Sequence, residues 1–418
     1  MELGTPDLRY VSEKDYSLKI KNEVMITSKI EEVPLYSITG RILAEDLHSR
    51  INIPEHPKSL IDGFALRSKD TINASQDNPI SLKMIGSIEL EKKVDMKIKQ
   101  LEVCYIPTGG YLPNGADATV KIEEVEVYKD RSITLINRVP VGEHVTSAGL
   151  DIAKNQIVFN RGHKIRPKDI ALFATLKIWR VKILKKPRIA IISVGTELTD
   201  NIIEAKGDKK FAGISLSLAG LVYEAGGEPI VMGTVKDDKK SIKKKIQESM
   251  NLAEAVLTIG GTSKGVKDLV ATSINESGRP GLIFRGIDIV PGRVSGFGII
   301  DGKPIVMMPG LIQSTLVAFY FIALPLIRRL YGLEPTPSFY QIQASLTEDI
   351  QIKSPEFNRL LFVKLRSDKN KTLVQPVSKL GNASLIKPIV DADGFIIFPK
   401  GPIYIRKETQ VTVNLLHF

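Results

Sequence analysis

Cysteine is nearly absent. Cys104 is the only one in 418 residues, so no intramolecular disulfide can form and no cysteine-based zinc site can be assembled, and a reducing, cytoplasmic setting fits best. Five histidines are scattered without metal-ligand spacing. Aromatic residues make up 6% of the chain. None interleave with the basic runs and no nucleic-acid-binding motif is present, which argues against RNA or DNA as a partner. Long apolar runs are also missing. The longest, Leu316 to Ile327, is too short to span a bilayer and contains Pro325, so it reads as a buried helix. The opening MELGTPDLRY lacks the apolar core of a signal peptide. Neither feature points to a membrane. No period of 20 to 50 residues repeats.

What remains is an ordinary globular composition, 43% hydrophobic and 25% charged. At about 150 residues per domain, the length suggests two to four domains. The net charge of +11 suits anionic ligands. The lysine runs at 239–240 and 243–245 need no ligand, however. Ile242, Ile246 and Met250 recur there at four-residue spacing, which predicts an amphipathic helix with the lysines on its wet side.

Four regions separate along the chain. Residues 1–47 are mixed in texture and are expected to contain a helix. Residues 48–137 read as short strands (VCYIP, ATVKI, VEVY, ITLI) broken by proline and glycine, the pattern of a small inserted β domain. Residues 138–180 change texture again and include the helical IRPKDIALFATL, so 1–47 and 138–180 together form a discontinuous domain that the β region interrupts. In 187–333, strands at Arg188–Val194, Ile230–Val235, Ala255–Ile259 and Ile305–Met308 alternate with helices, which predicts an α/β layer with a mostly parallel sheet. Residues 338–418 are strand-rich and end in VTVNLL.

Ligands of open α/β sheets sit at the carboxyl ends of the strands. Gly260–Gly261–Thr262–Ser263–Lys264–Gly265 follows a strand and opens a helix. Glycines admit close approach of backbone N–H groups to an anion, and the helix start adds positive potential. Ser263 and Thr262 could donate hydrogen bonds, Lys264 adds charge, and Asp268 could hold a metal ion or a ligand hydroxyl. The loop reads equally well as a tight turn in which Asp268 favours the first turn of the helix. Glu197, in Val194–Gly195–Thr196–Glu197–Leu198, is more readily structural than catalytic. In the β region, Asp62 precedes a glycine in SLIDGFA, and Thr108–Gly109–Gly110 runs on to Asp117; singly these are turn signals.

Taken in order, these segments resemble the molybdopterin molybdotransferase (MoeA/gephyrin E-domain) family. SLIDGFA resembles S-x-M-D-G-Y-A, PTGGYLPNGADATVKIEEV resembles TGAxxPxGADxVV(x)xE, and VPVGEHVTSAGLDI resembles a loop ending G-E-D-I. PRIAIISVGTEL resembles a strand ending T-G-D-E-L, GGTSKGVKD resembles G-G-x-S-x-G-x-x-D, and MMPGLIQS resembles L-P-G-N-P-x-S. The spacing agrees from about residue 10 to the C-terminus. The resemblance implies an α/β multidomain fold of four parts: an elongated discontinuous domain, an inserted β domain, a molybdopterin-binding-like α/β domain and a C-terminal β-barrel. It implies a homodimer working with other cofactor-biosynthesis proteins, its cleft lying between the α/β domain of one subunit and the inserted domain of the other. The implied reaction inserts molybdate or tungstate into adenylylated molybdopterin with a divalent cation, Mg²⁺, and releases AMP.

Carried onto this chain, the resemblance makes Asp62, Asp117 and Asp268 the catalytic carboxylates, acting through Mg²⁺. Thr108, Gly260, Gly261, Ser263, Lys264, Gly265, Arg293, Pro309 and Gly310 become the substrate-binding set. The chain departs from the motifs at Leu150, Thr196 and Leu311, each of which replaces a polar group. Arg293 is the one cation kept from a K-P-G-K-P stretch. Slower turnover with intact anion binding is expected, and the alternative is a non-catalytic relative that binds molybdopterin or a partner protein as a scaffold or regulator.

Overall fold

The structure, a computed structural model, describes residues 10–90, 95–261, 268–336, 339–353, 356–368, 371–377 and 384–416. The chain forms two units, residues 32–183 and residues 1–31 with 184–418.

In the first unit, short apolar stretches build a mixed six-stranded sheet. Its strands are β1 (Gly63–Leu66), β2 (Ile80–Ser87), β3 (Glu102–Ile106), β4 (Ala118–Lys121), β5 (Glu126–Val127) and β6 (Ser132–Leu135), in the order β4-β1-β3-β2-β6-β5. Side chains alternate across the pleat. Phe64 and Leu66 enter a core with Leu82, Val103, Val120 and Ile133, while Ala65 and Cys104 enter another with Ile88, Ile98 and Ile106. The stretches that flank this sheet share a third core. Leu35, Ile38 and Leu43 pack with Ile165, Phe173, Val181 and Ile183, and Leu47–His48 pairs antiparallel with Ile157–Phe159.

In the second unit, helix α1 (Glu13–Glu23) docks on the C-terminal part of the α/β layer. Thr27 and Ser28 N–H groups donate to Leu330 O, and Arg329 Nε donates to Val24 O. The layer itself contains β7 (Arg188–Val194), α2 (Gly213–Glu224), β8 (Glu228–Val235), α3 (Lys239–Leu252), β9 (Ala255–Ile259) and α4 (Leu269–Ser277). It continues with β10 (Pro280–Arg285), β11 (Gly296–Ile300) and β12 (Lys303–Met308). The sheet order is β8-β7-β9-β12-β11-β10. The first four strands are parallel, whereas β11 runs antiparallel to both β12 and β10. Sequence periodicity does not reveal the β10–β11 pair, because Gly296 and Gly298 interrupt the apolar pattern of GFGII. Strand β7 is buried on both faces, as its unbroken apolar run requires. On α3, Ile242, Ile246 and Met250 are buried as their spacing predicts, each contributing about 1.5–3 kcal/mol if fully buried.

The apolar stretch after β12 is a buried helix, as expected. It has a π turn at Phe319–Ala323 just before Pro325, which has no N–H to place in a regular helical ladder. Five strands then close a barrel: Gln341–Leu346, Asn358–Asp368, Lys371–Pro376, Gly394–Phe398 and Gln410–Leu415. Asn358–Asp368 pairs with both Lys371–Pro376 and Gly394–Phe398 and so completes the ring. Ala344, Leu346, Leu361, Val363, Val374, Ile396 and Val413 fill it. Among the described residues, no helix is long and apolar enough to cross a membrane.

Candidate functional site

Strand register brings most of the candidates of the second unit to one edge. Ile259 at the end of β9 lies beside Met308 at the end of β12, and Gly296 at the start of β11 lies beside Met307 and Arg285. The carboxyl edge of the parallel strands therefore gathers Gly260, Gly261, Pro309, Gly310, Arg285 and the turn containing Arg293. Gly260 has φ +88° and donates its N–H to Met308 O at 3.0 Å. A Cβ on Gly260 would stand 2.4 Å from Val194 O, and one on Gly310 would stand 3.4 Å from the Gly260 Cα. Gly261 has φ +66°, and a Cβ there would meet Val270 Cγ2 at 2.6 Å and Val194 Cγ1 at 2.9 Å. Both glycines thus serve the fold before any ligand. Pro309 is buried, and its carbonyl accepts a 2.6 Å hydrogen bond from Thr315 Oγ1. Ser263, Lys264 and Gly265 lie outside the described residues.

Asp268 caps α4, its Oδ1 accepting the Ala271 N–H at 3.0 Å. Its Oδ2 faces Arg285 Nη2 in a buried ion pair. Burial pushes the Asp268 carboxyl up from its usual range, while the Ala271 N–H and the Arg285 charge pull it back. Arg285 is the residue that sequence reasoning missed. The only signal was a cation closing the apolar run GLIF, in a stretch not read as a strand. Arg293 is half-buried; its guanidinium lies 5.7 Å from the Phe357 ring centroid and its carbonyl accepts the Ile287 N–H. Thr196 bonds reciprocally with Asp237: the Thr196 N–H reaches Asp237 Oδ2 at 2.8 Å, and the Asp237 N–H reaches Thr196 Oγ1 at 3.1 Å.

The candidates of the first unit fall into two separate places. Asp62, just before β1, is exposed, and its Oδ1 accepts from Thr108 N–H at 2.7 Å and Thr108 Oγ1 at 3.2 Å. Asp117, just before β4, uses both oxygens on Ser68, from the backbone N–H at 2.6 Å and Oγ at 2.9 Å. The antiparallel register pairs Gly63 with Lys121 and Leu66 with Ala118. Asp62 and Asp117 therefore stand at opposite ends of that ladder, about 17 Å apart along the extended chain. Within one chain they cannot ligate one cation, and Ser68 is the partner that the sequence did not announce. Leu150 and Leu311, two of the departures from the family motifs, are exposed.

Residues 12–176 match a family model described as the MoeA N-terminal region (domain I and II), and residues 190–329 match a probable molybdopterin binding domain. A solved structure described as a molybdopterin biosynthesis MoeA protein from Pyrococcus horikosii superposes with a TM-score of 0.84 at 32% identity, covering 97% of this chain and 99% of that one. The chain belongs to the MoeA family. The fold expected from the motifs is therefore the fold present, barrel included. Among further MoeA relatives, the molybdopterin molybdenumtransferase of Bacillus subtilis is 29% identical over 378 residues, 89% of this chain and 86% of that protein. A putative molybdopterin biosynthesis protein of Methanocaldococcus jannaschii is 29% identical over 413 residues, 97% of each.

Proposed function

We propose that this MoeA-family chain is a transferase of molybdenum cofactor biosynthesis that inserts molybdate, or tungstate, into adenylylated molybdopterin and releases AMP. One observation supports this reading above the others. Gly260 and Gly310 abut at the carboxyl edge of a sheet that matches a probable molybdopterin binding domain, and the same edge carries a buried guanidinium, Arg285, paired with Asp268. A sheet edge that combines side-chain-free backbone with a buried cation suits the phosphate end of an anionic ligand. Arg293 sits on the same edge and adds a second cation. Ser263, Lys264 and Gly265 remain part of the proposed binding loop.

The carboxylates divide by their surroundings. Asp268 is committed to Ala271 and Arg285, and Asp117 to Ser68, so neither fits as a ligand of a divalent cation. Asp62 is exposed and oriented by Thr108, and it fits as the single carboxylate that Mg²⁺ needs when substrate phosphates supply other ligands. When bound, such a cation would neutralise charge on the phosphoanhydride. We assign Asp62 and Thr108 to the substrate, and Asp117 and Asp268 to positioning the elements around it. We also propose the family's homodimer and the four-part division of the chain at the boundaries given above.

The test is an insertion assay with adenylylated molybdopterin, Mg²⁺ and either molybdate or tungstate. Metal-loaded cofactor and stoichiometric AMP are the expected products. A folded protein that yields neither would remove the reading. Light scattering at micromolar concentration that shows only monomer would remove the dimer.

A further inference from the structure

The pair Asp268–Arg285 sits at the carboxyl edge of the α/β sheet with side chains 7% and 8% exposed. A guanidinium carries five N–H donors in one rigid plane. Nη2 of Arg285 meets Asp268, but its buried Nε–H has no hydrogen-bond partner among the described residues. Buried polar groups are rarely left so, and one at a ligand-binding edge has an unmet acceptor to find. The Asp268 carboxylate accepts the Ala271 N–H at Oδ1 and faces the Arg285 charge at Oδ2, in an ion pair that leaves Oδ2 without a hydrogen bond among the described residues. A divalent cation placed there would have to displace the guanidinium from a buried carboxylate or sit against it. Two positive charges that close, with little water between them, repel strongly. An anion meets the opposite conditions: a fixed cation with a spare donor, and the start of α4.

We propose that Arg285 is the anion-binding cation of this edge, standing where a divalent cation would otherwise stand beside Asp268 and holding a phosphate oxygen of the ligand through its unpaired N–H. Asp268 is then a positioning residue, which fixes the guanidinium and caps α4. The proposal rests on the molybdotransferase reading only for the identity of the phosphorylated ligand. The anion chemistry stands on the pair itself.

The experiment is calorimetric titration of the full-length protein with AMP and, separately, inorganic pyrophosphate, each in EDTA and in Mg²⁺. The natural protein is expected to bind at least one of the two in EDTA. The double variant Arg285→Met with Asp268→Asn removes both charges, keeps a good capping residue and leaves no buried charge unpaired. Its affinity is expected to fall at least tenfold, ~1.4 kcal/mol. Arg285→Lys keeps the ion pair but loses the fork of donors, and its affinity is expected to fall roughly fivefold, so the question stays answerable even if the double variant does not fold. Anion binding that vanishes in EDTA and returns with Mg²⁺, or that is unchanged in either folded variant, overturns the proposal. Insertion assays on the same preparations separate the two readings. AMP binding through Arg285 without insertion removes the proposed reaction and keeps the anion site; insertion unaffected by the double variant keeps the reaction and removes the site.

Discussion

Replacing Gly260 with alanine tests whether the edge is built on backbone packing. Two costs add. At φ +88° an L-residue occupies the left-handed region, which costs about 1–2 kcal/mol. The new Cβ would also lie 2.4 Å from Val194 O, a backbone atom in the middle of the sheet edge that cannot swing aside. Relieving the overlap means shifting β7 or β9, at about 1–3 kcal/mol. The sum is ~2–5 kcal/mol. Gly207 provides the control for the first cost alone: it is exposed, has φ +60° and would meet nothing within 4 Å. Gly220 provides the opposite sign. It lies within α2 with open space around it, and alanine there should stabilise by about 0.5–1 kcal/mol. Urea denaturation of the three variants, followed by circular dichroism, should rank the midpoints Gly220→Ala, natural, Gly207→Ala, Gly260→Ala from high to low. A Gly260→Ala midpoint level with that of Gly207→Ala would show that the contact with Val194 is not tight, and would refute the reasoning. The same geometry changes the meaning of Gly261→Val, which the sequence alone suggests as a test of ligand binding. With Val270 and Val194 in the way, it tests folding first.

Asp62→Asn is expected to lower insertion turnover roughly a hundredfold while leaving the melting curve unchanged, because the side chain is exposed; a lowered melting temperature would make Asp62 structural. Asp117→Ala removes both hydrogen bonds to Ser68 and should lower the unfolding free energy of the first unit by about 1–2 kcal/mol, and an unchanged midpoint in denaturant would return Asp117 to the ligand candidates. Burial alone would raise the Asp169 carboxyl, but Arg166 and His163 outweigh it and hold it well below the usual range. A depressed folded value means that this stabilisation is complete above about pH 4 and is lost as the pH falls further, so Asp169→Asn should flatten the acid limb of a stability-versus-pH curve. Burial pushes the Cys104 thiol up to about 12, so iodoacetamide at pH 8 should label it only in denaturant, and rapid native labelling seen by mass spectrometry would contradict its place in the sheet.

Much of the fold is legible in the residues themselves. The run RIAIISV can only be a strand covered on both faces, and the spacing of Ile242, Ile246 and Met250 fixes one face of a helix whatever surrounds it. These are local properties, set by periods of two and of 3.6 residues. The glycines at 260 and 261 are legible as special positions too, but sequence leaves open whether a ligand or the chain itself forbids a side chain. Val194, which decides that question, is 66 residues away in sequence from Gly260.

What a carboxylate does was beyond the sequence for the same reason. Asp62, Asp117 and Asp268 are chemically identical, and the motifs group them as one set. Sheet register places Asp62 and Asp117 at opposite ends of one ladder, while strand order brings Arg285 from the far edge of another sheet onto Asp268. Composition and periodicity determined which segments become strands and helices, because those choices depend on near neighbours. Only the tertiary structure decided which acids are free and which are held, because an ionisable group is defined by the partners and the water left around it, and the fold brings those partners from distant parts of the chain.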